Sequence, residues 1–192
     1  PVLDVLIVGA GMNGIAAAGS LLFKGVRNIA VVERAKPGEE GPWLTYARMD
    51  TLRSPKTLTG PALGVPALTF RAWYEAKYGL DAWEALYKIH NGTWVEYLTW
   101  LQKVLALPVS HGVALEALEP AGLFIQAVLN ENGARRKILT RRVVLATAGA
   151  LAVEVLQHRR RGRPREGHRG VLFELVLVLD VLIRAEDEFA CV

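Results

Sequence analysis

The sequence is poor in the residues that build disulfide bonds and metal centres. Cys191 is the only cysteine among 192 residues, which excludes an intramolecular disulfide and a redox-active Cys-x-x-Cys pair. The histidines fall at no metal-ligand spacing; they are His90, His111, His158 and His168. We therefore expect no metal site, and we interpret the histidines as surface or loop residues.

Long hydrophobic runs are also absent, although 52% of the residues are hydrophobic. No run approaches the roughly 20 apolar residues that a helix needs to cross a bilayer. The N-terminus carries no basic segment followed by an apolar one, the pattern of a secretory signal. We therefore expect a cytoplasmic protein without membrane contact, whose length suits one well-buried domain with or without a tail.

What the chain does contain is a glycine-rich turn between two apolar strands near its N-terminus. A strand-like run, Val5 to Val8, leads into a GxGxxG motif formed by Gly9, Gly11 and Gly14. An alanine-rich helical segment follows, and then a second apolar run that ends at Glu33. Strand, turn, helix and strand in this order are typical of the nucleotide-binding unit of Rossmann folds.

Each part of this unit has a physical role in holding a dinucleotide. The first glycine allows the tight turn, the second lets a pyrophosphate approach the backbone, and the third lets the helix pack close to the strand. The first amides of the helix, at Met12 and Asn13, and its positive dipole end would face the phosphates. Glu33 lies 19 residues after Gly14, where a carboxylate reaches a ribose hydroxyl. Glu33 would serve FAD or NAD, so the pattern leaves the choice of dinucleotide open.

The segment after Glu33 has the composition of a long excursion rather than of a helix. Residues 35–42 are rich in proline, glycine and charge, and residues 44–66 contain three prolines. The excursion offers an aromatic plane, cations and a hydroxyl that suit a flat heteroaromatic ring; these are Trp43, Arg53, Ser54 and Lys56. The alternative is that Arg53 and Lys56 are solvated and that Trp43 fills the core.

Helical patterns dominate from residue 69 to residue 105. Thr69 is expected to cap a helix that runs through Tyr78 and ends at Gly79. Two further capping boxes are predicted, Asp81 with Glu84 and Thr93 with Glu96. We assign the tryptophans of this segment to core packing rather than to a stacking platform; they are Trp73, Trp83, Trp94 and Trp100.

Strand patterns follow from residue 107 onwards. They predict a short strand (109–113), an antiparallel hairpin that turns at Asn132 and Gly133 (123–129 with 136–139), and a buried parallel strand (143–146). The last of these closes on Thr147. The fold predicted from the whole pattern is α/β, with a Rossmann-like parallel sheet, inserted helices and an antiparallel hairpin.

Taken in order, five stretches of residues 3–149 resemble the N-terminal part of FAD-dependent oxidoreductases of the flavin-containing monooxygenase and Baeyer–Villiger type. They are VLIVGAGMNG, the strand end Glu33–Arg34, GPW at 41–43, TLRSPK at 51–56 and VVLATAG at 143–149. GPW and VVLAT narrow the resemblance to this group, because the glycine motif and its acid are common to dinucleotide folds generally.

The resemblance implies roles for individual residues. In that family the first GxGxxG holds FAD, so Gly9, Gly11, Gly14 and Glu33 would bind its ADP half. Arg34 and Trp43 would lie beside the cofactor. Three residues would lie near the isoalloxazine, namely Arg53, Ser54 and Lys56. The stretch around Thr147 corresponds to the family's Ala-Thr-Gly connection to an NADPH-binding domain.

Residues 150–192 have no counterpart in this resemblance, so we divide the chain into an FAD-binding Rossmann-like domain (1–149) and a tail (150–192). The tail contains six arginines between His158 and Arg169, followed by an apolar run, 171–183, and it has no second glycine motif. We interpret it as non-homologous sequence, such as a shifted reading frame or a truncated gene. Its arginine block is expected to be solvated, and the tail is expected to pack poorly. An uncovered apolar run would need a partner surface, for instance a second copy of the chain.

The function implied by the resemblance is that of a flavin monooxygenase-like oxidoreductase, with NADP or NAD as co-substrate. The redox chemistry would belong to the cofactor, so no side chain is assigned a catalytic role. Because the NADPH-binding domain is missing, we expect only the flavin-binding portion. Two alternatives remain: an FAD/NAD(P)-binding module without catalysis, and a nucleic-acid binder that uses the arginine block.

Overall fold

Strands and helices alternate along the chain in the order that the sequence predicts for an α/β protein. The computed structural model describes residues 1–147 and the backbone of residues 175–177. Its strands are β1 (Val2–Val8), β2 (Ile29–Glu33), β3 (Val109–His111), β4 (Val113–Ala121), β5 (Phe124–Glu131), β6 (Ala134–Leu145) and β7 (Leu175–Leu177). Its helices are α1 (Met12–Phe23), α2 (Phe70–Tyr78), α3 (Leu80–Ala85) and α4 (Asn91–Val104), with a 3₁₀ turn at Pro66–Leu68.

The strands form one sheet in the order β3-β2-β1-β6-β5-β4, and β7 pairs with β6. β1 lies parallel to both β2 and β6, with Val8 opposite Val32 on one side and Leu145 on the other. β3 extends the parallel part beside β2, whereas β4, β5 and β6 are antiparallel. The predicted fold class, a Rossmann-like parallel sheet with an antiparallel part, is confirmed.

β1 is buried on both faces, which explains its unbroken apolar sequence. Val5 and Ile7 pack on the side covered by α1, together with Val31 and Val144. Their neighbours Leu6 and Val8 point the other way, because side chains alternate across a strand. That second face is covered by apolar residues of the antiparallel strands, which are Val113, Leu115, Ile125, Ala127 and Leu129.

The helices α2 to α4 form an insert between β2 and β3 and enclose an aromatic cluster. Phe70 is fully buried, and its ring contacts five others, those of Trp73, Tyr74, Trp83, Trp94 and Tyr97. The assignment of the buried tryptophans to core packing is therefore confirmed. The predicted cap is also confirmed, because the Thr69 hydroxyl accepts the Ala72 amide at 3.2 Å and α2 ends at Gly79.

The two predicted capping boxes are wrong. α3 begins at Leu80, so Asp81 already lies in its first turn rather than before it. α4 begins at Asn91 after His90, which places Thr93 inside the helix. In both places the helix begins before the predicted capping residue.

The strand boundaries after Pro108 differ from those predicted. The run 109–113 is not one strand, because Gly112 has a φ of 71° and separates β3 from β4. β4 itself is missing from the sequence prediction, since Glu116, Glu119 and Pro120 interrupt its apolar alternation. Conversely, 136–139 and 143–145 belong to a single long strand, β6, which ends one residue before the predicted 146. It is antiparallel to β5 at its start and parallel to β1 at its end.

Most predictions about the tail lie outside the described residues, including those on the arginine block and on the side chains of the apolar run. Within the tail, the backbone of β7 runs parallel to β6, with Leu175 opposite Val143. The division into residues 1–149 and 150–192 stays a prediction. In the part of the chain that the structure describes, every helix is too short or too polar to cross a membrane.

Candidate functional site

The carboxyl ends of β1, β2 and β6 meet at one edge of the sheet, and the glycine turn lies there. Gly9 has a φ of 102°, and a Cβ added to it would lie 2.8 Å from the carbonyl oxygen of Ala146. A Cβ added to Gly14 would collide with the carbonyl oxygen of Gly9. The first and third glycines are therefore required by the packing of the protein itself.

Gly11 differs from its neighbours because nothing in the described protein requires a glycine there. Its φ of −67° is open to any residue. The nearest atom to an added Cβ is the Cα of Gly41, at 3.9 Å. A glycine with free space above it fits the close approach of a ligand to the backbone.

The N-terminus of α1 has unused hydrogen-bond donors. Gly11 is its N-cap and supplies no side-chain cap, and the first turn contains no acidic residue. The first hydrogen bond within the helix runs from the Ile15 amide to the Gly11 carbonyl at 3.0 Å. The amides of Met12, Asn13 and Gly14 precede it and therefore have no partner inside the helix. These donors and the dipole of the helix suit a phosphate.

Glu33 lies at the tip of β2, and only 8% of it is exposed. Its two carboxylate oxygens accept the amides of Ala10 at 2.8 Å and Ala35 at 2.9 Å. Each oxygen keeps a further lone pair, so the carboxylate can still accept ribose hydroxyls. Glu33 thus fixes the glycine turn from the second strand and remains able to bind a ligand.

Thr147 follows β6 on the other side of the turn. Its methyl carbon is 3.4 Å from the position of a Cβ on Gly9. Its hydroxyl is buried and finds no hydrogen-bond partner among the described residues. Because a buried hydroxyl without a partner costs about 1–3 kcal/mol, this atom fits a site that a polar ligand completes.

The loop that carries Trp43 lies against the glycine turn through Gly41. The ring of Trp43 packs edge-on against that of Trp94, with centroids 6.2 Å apart. Its carbonyl accepts a hydrogen bond from the side-chain amide of Asn91 at 3.0 Å. The turn, Glu33, Thr147 and the Trp43 loop are therefore brought together at one edge, with Arg34 exposed beside them.

The remaining three predicted site residues lie on the excursion after the Trp43 loop. The Lys56 ammonium donates to the carbonyls of Trp83 at 2.8 Å and Glu84 at 3.3 Å, and it lies 5.0 Å from the Trp83 ring centroid. It therefore binds the end of α3. Arg53 is exposed and Ser54 is half-buried. Their placement near a flavin ring stays a prediction.

Sequence reasoning missed a group of polar residues behind the turn. Glu40 is buried and bonded to His111 on β3, so the interpretation of the histidines as surface or loop residues is wrong for His111. Gln102 on α4 reaches both Glu40 and the glycine turn. No sequence signal marks them, because their significance depends on elements that are far apart in the chain. Among the described residues, no three His, Cys, Asp or Glu side chains cluster as metal ligands would.

The parallel sheet, the glycine turn, the open helix N-terminus and the acid at the next strand tip define a Rossmann-type dinucleotide-binding protein. Comparison with known families agrees, since the model of the FAD-NAD(P)-binding family matches residues 6–150. The chain belongs to this family. The cofactor class predicted from the sequence, FAD with NAD(P), is thereby confirmed.

The chain also resembles individual flavoproteins. It is 48% identical over 147 residues to an FAD-dependent urate hydroxylase of Xanthomonas campestris, covering 76% of this chain and 31% of that protein. The chain thus spans about a third of the length of this relative. The resemblance to flavin monooxygenases inferred from the sequence is confirmed.

Solved structures share the fold at lower sequence identity. An ornithine hydroxylase from Pseudomonas aeruginosa superimposes with a TM-score of 0.66 at 15% identity, covering 82% of this chain and 43% of that one. A flavin-containing monooxygenase from Stenotrophomonas maltophilia gives 0.57 at 21% identity, covering 76% and 38%. At these identities the likeness concerns the fold.

Proposed function

We propose that this chain is the flavin-binding portion of an FAD-dependent oxidoreductase of monooxygenase type. One observation carries the proposal: the first amides of α1, which have no partner inside the helix, follow Gly11, and the Glu33 carboxylate binds the same turn through the Ala10 amide. Membership of the FAD-NAD(P)-binding family and the identity to an FAD-dependent urate hydroxylase support FAD as the dinucleotide.

The amides at Gly11 and at the start of α1 would hold the pyrophosphate, and Glu33 would accept from the ribose. The hydroxyl of Thr147, which has no hydrogen-bond partner among the described residues, would be available to the same ligand. Arg34 and Trp43 would flank the cofactor. Once bound, FAD would supply the electron-accepting chemistry, with NADPH or NADH as the donor of a hydride. The protein's share is then binding, orientation and exclusion of water.

A flavin ring beside Arg53, Ser54 and Lys56 would require Lys56 to change its hydrogen-bond partners. Lys56 is engaged with the carbonyls of Trp83 and Glu84 at the end of α3. To contact a flavin, its ammonium would have to exchange those partners for the ring. Arg53 is exposed, and among the described contacts its guanidinium has no hydrogen bond that it would have to give up.

The test is a titration of the purified full chain with FAD, followed by flavin fluorescence and visible absorption. The parent should bind FAD. Gly11→Val should weaken binding by at least about 10-fold. The unfolding midpoint should change little, because an added Cβ on Gly11 meets protein atoms only at van der Waals distance, at Gly41. Gly92→Val is the matched control, since an added Cβ on Gly92 has nothing within 4 Å and Gly92 lies on α4.

Two outcomes would contradict the proposal. If the parent chain binds neither FAD nor NAD(P), the proposed binding site does not exist. If the Gly11→Val chain binds as tightly as the parent, the glycine turn does not contact the ligand. A parent that binds NAD and leaves FAD in solution would favour the alternative of a nucleotide-binding module without flavin chemistry.

Urate is the substrate named for the Xanthomonas campestris relative, and it is therefore the first substrate to try. The measurement is urate-dependent oxidation of NADPH or NADH by the FAD-loaded chain. Because the chain spans about a third of that relative, we expect FAD binding without turnover from this chain alone. Turnover would show that the flavin-binding portion is sufficient.

A further inference from the structure

A buried polar cluster lies directly behind the glycine turn and is not explained by cofactor contacts. Its centre is Glu40, which is only 5% exposed. One carboxylate oxygen lies 2.6 Å from Nε2 of His111, and the other accepts the amide of Gly38 at 2.8 Å. The side-chain amide of Gln102 donates to the first oxygen at 3.4 Å.

The cluster connects three elements that are distant in sequence. Glu40 belongs to the loop after β2, His111 to β3 and Gln102 to α4. Burying a carboxylate is costly unless several donors satisfy it. Apolar residues would fill the same space without that cost, so the cluster serves something other than packing alone.

The chain of contacts ends on the glycine turn. The same amide nitrogen of Gln102 that donates to Glu40 also donates to the carbonyl oxygen of Ala10 at 3.4 Å. The orientation of this amide follows from chemistry, because both of its neighbours are acceptors and only the NH₂ end can serve them. The Ala10 amide is held separately by Glu33 at 2.8 Å.

Holding the Ala10 carbonyl has a direct consequence for the ligand. The carbonyl of Ala10 and the amide of Gly11 belong to one planar trans peptide, so the two groups point in opposite directions. Fixing the carbonyl toward α4 therefore directs the Gly11 N–H away from α4. Since Gly9 and Gly11 flank Ala10, the turn has little intrinsic stiffness of its own.

We propose that Gln102, held in place by Glu40 and His111, is a positioning residue that orients the Ala10–Gly11 peptide for a pyrophosphate. Gln102 acts through the backbone and does not touch the cofactor. The inference rests on the proposed dinucleotide binding, and it extends the site from the Rossmann unit to a helix of the insert.

The experiment compares FAD binding with stability in the full chain. Gln102→Met keeps the length of the side chain and removes both hydrogen bonds, so FAD affinity should fall roughly 3- to 10-fold, as expected for one backbone hydrogen bond. Adenosine, which lacks phosphate, should lose no affinity. The matched control is Gln126→Met, since Gln126 donates to Glu119 at 2.7 Å on the exposed antiparallel strands.

Gln102→Asn provides a second variant in case Gln102→Met does not fold. It retains the amide and shortens its reach, and it should show the same loss of FAD affinity at a stability close to that of the parent. If either folded variant binds FAD as the parent does, the positioning role is overturned and the proposed function stands. Equal losses for FAD and adenosine would also overturn it, because they would indicate a general structural defect. A parent that binds no dinucleotide overturns both.

Discussion

The sheet edge that carries Gly9, Gly11 and Gly14, here called the glycine edge, and the helical insert (α2 to α4) depend on different kinds of atoms. At the edge, backbone atoms form the site, and side chains such as Glu33 and Gln102 serve mainly to hold that backbone. In the insert, side chains form the structure, with Phe70 in contact with five aromatic rings. Cofactor binding and folding stability should therefore be separable by mutation. Binding depends on access to the backbone of the turn, whereas stability depends on the apolar area buried in the insert.

Both regions contain buried polar atoms that have no hydrogen-bond partner among the described residues. Three buried side-chain polar atoms of residues 1–147 have no partner, and they belong to Asn91, Trp94 and Thr147. Thr147 borders the glycine turn, while Asn91 and Trp94 both contact Trp43, whose loop lies against that turn. Unpaired buried polar atoms are rare, and all three belong to residues that border the glycine turn or contact Trp43.

The largest effect is expected in the insert. Phe70→Ala removes a fully buried ring and should lower the free energy of unfolding by about 3–5 kcal/mol. Urea unfolding measures this, and Leu123→Ala, at a residue that is 76% exposed, is the control. FAD affinity of the fraction that remains folded should change little. If the folded Phe70→Ala chain also loses most of its FAD affinity, binding at the glycine edge depends on the packing of the insert, and the two regions are not independent.

The second effect sharpens the comparison within the glycine turn. Gly14→Ala places a Cβ against the Gly9 carbonyl, and overpacking of this kind costs about 1–3 kcal/mol or more. It should reduce both stability and FAD binding, whereas Gly11→Val reduces binding alone. Gly92→Ala, which has nothing within 4 Å of its added Cβ, should leave both unchanged. Equal stabilities for the Gly14→Ala and parent chains would contradict the close packing of α1 on β1.

The sequence predicts the glycine edge well because local rules govern it. The spacing of Gly9, Gly11 and Gly14 and the acid at position 33 are properties of one short segment, and the structure forms the unit that they predict. Thr69 and Gly79 bound α2 for the same reason, since a cap acts on its own helix.

The parts that sequence reasoning missed depend on contacts between distant segments. Gln102 and Ala10 are 92 residues apart, and Glu40 and His111 are 71 apart. Such pairs follow only from the completed sheet and insert. The single strand β6 was divided in the prediction because Arg141 and Arg142 interrupt its apolar pattern, although its backbone pairs with β1 across that point. Hydrogen bonding of the backbone there overrides side-chain periodicity.

The third effect tests whether Glu33 has two roles, one in holding the glycine turn and one in binding the ribose. In Glu33→Gln, an NH₂ group would face the amide of Ala10 or Ala35, which are donors themselves. The free energy of unfolding should fall by about 1–3 kcal/mol, and FAD affinity by roughly 10-fold or more, because the acceptor for the ribose loses its charge. Glu119→Gln, at an exposed acceptor of Gln126, is the control. Loss of stability with full FAD affinity would restrict Glu33 to a structural role.

The smallest effect concerns a buried hydroxyl of the insert and its dependence on pH. The Tyr97 hydroxyl donates to the Leu68 carbonyl at 2.7 Å, and burial raises the pKa of Tyr97 above its ordinary value of 10.0. Tyr97→Phe should lower the free energy of unfolding near pH 7 by about 1 kcal/mol, since it leaves that carbonyl without its donor.

The sign of the pH dependence follows from linkage. Above about pH 10 an unfolded tyrosine loses its proton while folded Tyr97 keeps it, so stability declines as the pH rises. This decline should be shallower in Tyr97→Phe than in the parent, and unchanged in Tyr87→Phe, where the side chain is 86% exposed. Urea unfolding at pH 8 and at about pH 11 measures the difference. An equally steep decline in Tyr97→Phe would show that Tyr97 titrates as an exposed phenol, and the insert would then be more open to water than its aromatic packing indicates.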